Sequence, residues 1–517
     1  MLLLLLLHVC ASSVQLENSF TRLPTNVRPI HYTLDIRVFL ENKTTHGDVV
    51  IYLEITKPTD KITMHSSKWL TIRQDMVNLV KVRNRQDLKW QEVAVLQQSQ
   101  ELGPSEQHWI QLERQLKKGS HLWLRVPFTG KIKDGNEKKD QSGLYISTDG
   151  GRNATSMAIT QFEFTSARHV FPCFDEPHLK ATFSLSIGRH RDEVSRSNAE
   201  HLVLGEHIPG SDEYVLDHFK PSPIMSTYTL AIMVSRLGYS EAFSQRMVHF
   251  RTWFSKDQGL KWAKQFTENS VKIMDHLQEN IFKGVPFPLK KMDQVLVPNF
   301  ESSAMENWGI ITYELELVVK YMTSEIFGED GTFNSDLVIA HELAHQWHGN
   351  LVTHAWWKEW WLTEGFASYF QAFGVEALYP KNLARQMNII TKGQYGAFKK
   401  DTFQGFPTVY NGHGNFTAYM DMEANSYLFY NRGASILTML AGMIGQETFL
   451  TGVRKYLKRH AFSTAVTDHL WTQLEMEVRA SGFFTHLTER SIKEIMELWC
   501  FIPNTEMEFS QGRPHMV

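Results

Sequence analysis

The chain has 517 residues, 42% hydrophobic and 21% charged, the balance of a folded protein with several cores rather than a disordered or fibrous one. Its formal net charge of -3 offers no basic field to draw in phosphates, which argues against nucleic acid as a partner. Three cysteines (Cys10, Cys173 and Cys500) are too few and too scattered for a disulfide framework or a cysteine zinc site, and Cys173 reads as a buried, inert thiol.

In chain order, residues 1–16 come first, with Leu2 to Leu7 as an apolar core and His8-Val9-Cys10-Ala11-Ser12-Ser13 after it. The stretch is too short to span a bilayer and reads as a secretory leader, with the remnant of a membrane anchor as the alternative. Sequons at Asn42, Asn153 and Asn415 agree with a glycoprotein of the secretory pathway, extracellular, at the cell surface or in the endoplasmic-reticulum lumen. Membrane association through the N-terminal segment and homodimerisation are left open.

Residues 20–240 are expected to form an antiparallel β domain. Runs such as Tyr32–Val38, Val49–Ile55 and His121–Val126 alternate apolar and polar side chains, and Lys57-Pro58-Thr59-Asp60 supplies a turn between them. Residues 241–499 change to helical periodicity, as in Leu260, Ala263 and Phe266 or Val271, Met274 and Leu277. Pro286 and Pro288 end that helical stretch, and strands are expected at Gln294–Val297 and Gly309–Tyr313. The remainder to about Leu498 is mainly helical. Residues 500–517 form a divergent tail. The fold class is therefore α+β multidomain.

The chemistry concentrates in Ala340-His341-Glu342-Leu343-Ala344-His345-Gln346-Trp347. On a helix, His341 and His345 share a face, and two neutral imidazoles one turn apart can both reach a zinc ion. Glu342, beside the first histidine, can take a proton from a water at that ion. Glu364 lies in the first turn of a second helix beginning at Trp361. It either complements the helix dipole or returns to the histidine face as a third ligand. Two histidines and a glutamate would leave one coordination position for water, as in a catalytic site. One zinc per chain is expected.

His-Glu-x-x-His followed by Glu after eighteen residues resembles the gluzincin peptidases. Ala340 to Thr353 and Trp361 to Tyr369 are similar to the aminopeptidase N family, which implies a thermolysin-like catalytic domain behind an N-terminal β domain. The resemblance implies further roles. Ser303-Ala304-Met305-Glu306-Asn307 looks like the family's Gly-Ala-Met-Glu-Asn motif, with Glu306 gripping the substrate's free ammonium and Ala304, Met305 and Asn307 lining the site. Glu163, ahead of Ala167 to Pro177, looks like a second amine-binding residue. Tyr430 aligns with the family's catalytic tyrosine and would donate to the oxyanion, with Tyr427 and Tyr419 as rivals. The implied reaction is removal of the first residue from peptides with a free N-terminus.

Ser303 departs from the family's glycine, where a Cβ could narrow the site or strain φ. His348 and His354 replace apolar residues and are read as non-ligands. Trp356, Trp357, Trp360 and Trp361 are read as core. The match stops near Trp499, short of the family's further domains, so a truncated, inactive relative acting as a binding or decoy protein stands as the alternative. An endopeptidase is a third reading.

Overall fold

The alternating runs fold as expected, because each strand buries one face. In the strand Thr44–Ile55, Val49, Ile51, Leu53 and Ile55 are buried while the residues between them are half-buried. The computed structural model describes residues 22–84, 89–101, 103, 105–135, 140–148, 156–255, 260–323, 331–380, 389, 428–482 and 490–501. The leader, Asn153, Asn415, Tyr419, Tyr427 and most of the divergent tail lie outside these residues. Asn42 is exposed in the turn between the first two strands.

By contacts the chain divides into two compact units. One comprises Met1–Val271 with Pro288–Ser335, the other Lys272–Phe287 with Asp336–Val517. The first is dominated, among the described residues, by a nine-stranded sheet. Val27–Phe39 lies inside it, antiparallel to Thr44–Ile55 (Leu34 opposite Val49) and parallel to Thr182–His190 (Leu34 opposite Leu185). A five-stranded sheet in the same unit contains Gly238–Phe243, His249–Phe254, Lys291–Val297, Ile310–Glu314 and the short edge strand Ala304–Met305. Helix α1 (Leu260–His276) packs on it, with Phe266 edge-to-face on Tyr313 at 5.2 Å and Ser270 accepting from the Gln294 amide at 2.9 Å. Helices α2 (Leu315–Thr323) and α3 (Gly331–Ala344) follow.

The second unit is helical: the end of α3, then α4 (Trp361–Gly374), α5 (Gly433–Ile444), α6 (Gln446–His460), α7 (Thr467–Ser481) and α8 (Ile492–Phe501). Its core includes Ile339, Leu343, Trp347, Trp361, Phe366, Phe370, Leu437, Leu457 and Trp471. Trp357 and Trp360 are buried as well, and Trp356 is half-buried. No single described helix is long and apolar enough to cross a membrane.

Candidate active site

Helix α3 ends at Ala344, yet the His345 N–H still donates to the His341 carbonyl at 3.1 Å. The helical pitch therefore survives one residue past the helix, and the two imidazoles project from one face with centroids 4.6 Å apart. Gly349 closes the turn at φ +122, where a Cβ would also lie 2.9 Å from Thr363 Cγ2 and 3.3 Å from His345 Nδ1. Only glycine satisfies both conditions.

From there the chain returns through the short strand Val352–His354 and one turn at Trp357–Glu359 into α4. The start of α4 is pinned by buried polar contacts. Glu359 accepts from the Thr467 N–H at 3.0 Å and its hydroxyl at 2.6 Å, and the Trp361 indole donates to Thr467 Oγ1 at 2.9 Å. Where α4 passes α3, a Cβ on Gly374 would lie 2.7 Å from that of Ala340, so the helices approach closely. That crossing brings Glu364 to the histidines.

The three donor atoms form a nearly equilateral triangle. His341 Nε2 is 3.0 Å from His345 Nε2 and 3.2 Å from Glu364 Oε2, which is 3.3 Å from His345 Nε2. Ligands at the 2.0–2.1 Å of zinc–nitrogen bonds, at tetrahedral angles, stand about 3.3 Å apart. The far side of each ring settles the tautomer. His341 Nδ1 donates to Gln371 Oε1 at 3.1 Å, and His345 Nδ1 donates to the His348 carbonyl at 3.0 Å. Both Nε2 atoms thus turn lone pairs toward a carboxylate. A single proton can join only two of these three atoms; a divalent cation joins all three. The residues fit zinc.

Electrostatics agree with that geometry. Burial, and then neighbouring His345, push His341 below the ordinary imidazole range. Burial works against the Glu364 carboxylate, but whichever imidazole takes up a proton at Nε2 stabilises its charge, which holds its pKa below the usual carboxylate value. Glu342 is also buried beside His341. Tyr430 sits in a single wide turn, Leu428–Arg432, and its ring stacks on His341 at 5.6 Å and 13°, with Trp360 edge-on at 5.9 Å.

The other two histidines belong to the core. His348 stacks on Phe366 at 4.0 Å, and burial drives its pKa well below the ordinary value. His354 shares a hydrogen bond with Thr363 Oγ1 at 2.9 Å.

In the first unit, Glu306 is buried directly after the strand Ala304–Met305, and Glu163 is half-buried after the strand Ser156–Gln161. A carboxylate oxygen of one lies within 4.8 Å of a carboxylate oxygen of the other. Two carboxylates so close raise the cost of ionising both, which a shared proton or a cation such as an ammonium relieves. Asn307 is fully buried beside Glu306, Met305 is buried, and Ala304 is half-buried. Ser303 is exposed, and its φ is not in the left-handed region. Strain at its Cβ is therefore absent.

Sequence reasoning missed Gln371. Its only signal was spacing: it follows Glu364 by two helical turns on the same face.

Two comparisons bear on this arrangement. Residues 28–229 match the Peptidase M1 N-terminal domain, and residues 266–499 match the Peptidase family M1 domain. Among curated relatives, the chain is 33% identical over 506 residues to endoplasmic reticulum aminopeptidase 2 of Bos taurus, covering 92% of this chain and 50% of the relative. It is 32% identical over 486 residues to aminopeptidase A of Gloydius brevicauda (92% and 46%). It is also 30% identical over 484 residues to the thyrotropin-releasing hormone-degrading ectoenzyme of Mus musculus (92% and 42%). The chain thus spans half or less of the length of these relatives.

Proposed function

Because the chain belongs to peptidase family M1, we propose that it is a zinc aminopeptidase that hydrolyses the first residue from peptides with a free N-terminus. The observation that carries the reading is the convergence of His341 Nε2, His345 Nε2 and Glu364 Oε2 within 3.3 Å of one another, with both histidine tautomers fixed from behind. We assign the N-terminal β domain to 20–240 and the catalytic domain to 241–499.

In this reading His341, His345 and Glu364 hold one zinc per chain. When bound, zinc supplies a Lewis acid that polarises the scissile carbonyl and makes water acidic near neutral pH. Glu342 takes the proton from the attacking water and hands it to the leaving amine. Tyr430 donates its phenolic hydrogen to the oxygen that gains negative charge, a contribution of about 3 kcal/mol for one well-aimed donor. Glu306, with Glu163, receives the substrate's ammonium, and Ala304, Met305 and Asn307 shape that site. Fixing the ammonium fixes the register, so the bond after the first residue is the one cleaved. The relatives named for an ectoenzyme and for the endoplasmic reticulum support a place in the secretory pathway.

The test is an assay on aminoacyl reporters with free and N-acetylated amines, with and without chelator. Cleavage of the free form alone, abolished by chelator and restored by zinc, is the expected result. Equal cleavage of both forms indicates an endopeptidase. Stoichiometric zinc without any cleavage indicates the binding relative.

A further inference from the structure

We propose that Gln371 is a positioning residue of the metal site, which sets the tautomer of His341 through an uncharged acceptor and thereby moderates the hold on zinc. This rests on the reading of His341, His345 and Glu364 as ligands.

The two histidines are backed in different ways. His345 donates to a main-chain carbonyl, that of His348, which no side-chain substitution removes. His341 donates to a side chain, Gln371 Oε1 at 3.1 Å, from the same helix face that carries Glu364. The plane of the His341 ring does not depend on Gln371 alone. Tyr430 stacks on its face at 5.6 Å, and His345 meets it edge-on at 4.6 Å. What Gln371 adds is the choice of tautomer. With a carbonyl oxygen at Nδ1, the proton stays on the far side and the lone pair stays at Nε2.

The charge of the acceptor matters separately. A carboxylate behind a histidine ligand raises its basicity, whereas an amide fixes orientation with little of that gain. With an amide rather than a carboxylate behind it, His341 stays the less basic ligand, which leaves more charge on the divalent ion and holds it more weakly. Gln371 is the residue through which this chain sets that balance.

The experiment measures zinc affinity of the purified full chain, stripped and then titrated in competition with a chromophoric chelator, for the wild type, Gln371→Met and Gln371→Glu. Methionine fills the volume without accepting a hydrogen bond; glutamate accepts it with charge. We expect Gln371→Met to weaken zinc binding by about 10–100-fold, and Gln371→Glu to bind at least as tightly as the wild type. Metal-free melting temperatures should agree across the three. If Gln371→Met fails to fold, Gln371→Glu decides alone: equal or tighter binding supports the proposal, and weaker binding overturns it. An affinity for Gln371→Met within twofold of the wild type also overturns it, as does equal weakening in both variants. A wild-type chain that holds no zinc overturns the ligand assignment itself, and this proposal with it.

Discussion

Two buried polar clusters, one in each unit, solve opposite problems. In the first unit Asp293 is fully buried, and both of its oxygens meet donors. Lys291 lies 2.8 Å from Oδ2, the Arg251 NH2 donates to the same oxygen at 3.1 Å, and the Trp253 indole donates to Oδ1 at 2.8 Å. Arg251 Nε stands 2.8 Å from Oδ1, with Arg196 Nε at 3.9 Å and its guanidinium over the Trp253 ring. Burial pulls Lys291 down to about 8, still charged at neutral pH, because Asp293 offsets the cost. In the second unit the ratio is inverted: His341, His345 and Glu364 present three acceptors to one point. A cluster in which the acceptor finds donors needs no added ion and holds the fold together. A cluster of converging acceptors is complete only with a cation. Burial and polarity alone do not separate the two; the balance of donors and acceptors does.

The largest effect should come from breaking the convergence. Glu364→Ala or His345→Ala should abolish stoichiometric zinc, exceeding the roughly 10–100-fold loss that follows removal of an outer partner. Peptidase activity should then fall to background. Metal analysis of the purified variants checks this, and a full equivalent of zinc in either would remove the basis of the assignment. Glu342→Gln should divide the site's functions instead. We expect zinc to stay bound while turnover falls by about 10²–10⁴-fold, the usual contribution of a positioned general base. Loss of zinc together with turnover would make Glu342 a ligand rather than a base.

Much of the molecule is legible in its sequence. The strands show themselves through alternation, since a half-buried strand must repeat every two residues. The histidine pair needs only helical pitch, a local property. Glu364 is half legible: its distance along the chain is suggestive, but its return depends on the turn at Gly349 and the close approach of Gly374 to Ala340. Gln371 offers only its spacing from Glu364, because an acceptor seven residues along an apolar helix has no chemistry until a partner helix faces it. The Asp293 cluster is hidden for the same reason. Arg196, Arg251, Lys291 and Asp293 come from three strands in two different sheets, and only the tertiary fold places them together. Nor does composition mark the interleaved segments Lys272–Phe287 and Pro288–Ser335.

The closed cluster makes its own prediction. Asp293→Asn should destabilise the first unit by about 3–5 kcal/mol at neutral pH, because it strands buried cations. Zinc per folded chain should not change. Burial disfavours the Asp293 carboxylate, but the charges of Lys291, Arg251 and Arg196 outweigh that and hold its pKa far below the ordinary range. A carboxylate depressed in the fold contributes stability that is fully present above its unfolded pKa of about 4 and is lost as pH falls toward the folded value. Denaturant melts of wild type and Asp293→Asn should therefore converge on acidification. Parallel curves from pH 7 to pH 3 would show that Asp293 is not held low.

The smallest effect concerns what aims Tyr430 in the open cluster. A Cβ on Gly365 would lie 3.1 Å from the Gly433 Cα, and one on Gly433 would lie 3.0 Å from the Gly365 Cα. The helix carrying Glu364 thus touches, backbone to backbone, the first residue of α5, directly after the turn that carries Tyr430. Such distances are tight without being prohibitive, so Gly433→Ala should be accommodated by a shift of a few tenths of an ångström. Its cost should be about 1–3 kcal/mol in stability, as for modest overpacking. The displacement reaches a ring stacked on His341, so turnover should also drop, by about 3–10-fold if 1 Å of misplacement costs about 100-fold. Gly442, exposed on the same helix α5, has nothing within 4 Å of its Cβ position and serves as the control. Gly442→Ala should stabilise by about 0.5–1 kcal/mol through helix propensity and leave turnover alone. If Gly433→Ala behaves like Gly442→Ala, close backbone approach is not what aims Tyr430. If its turnover falls while zinc and KM hold, the open cluster depends on backbone packing as well as on its ligands.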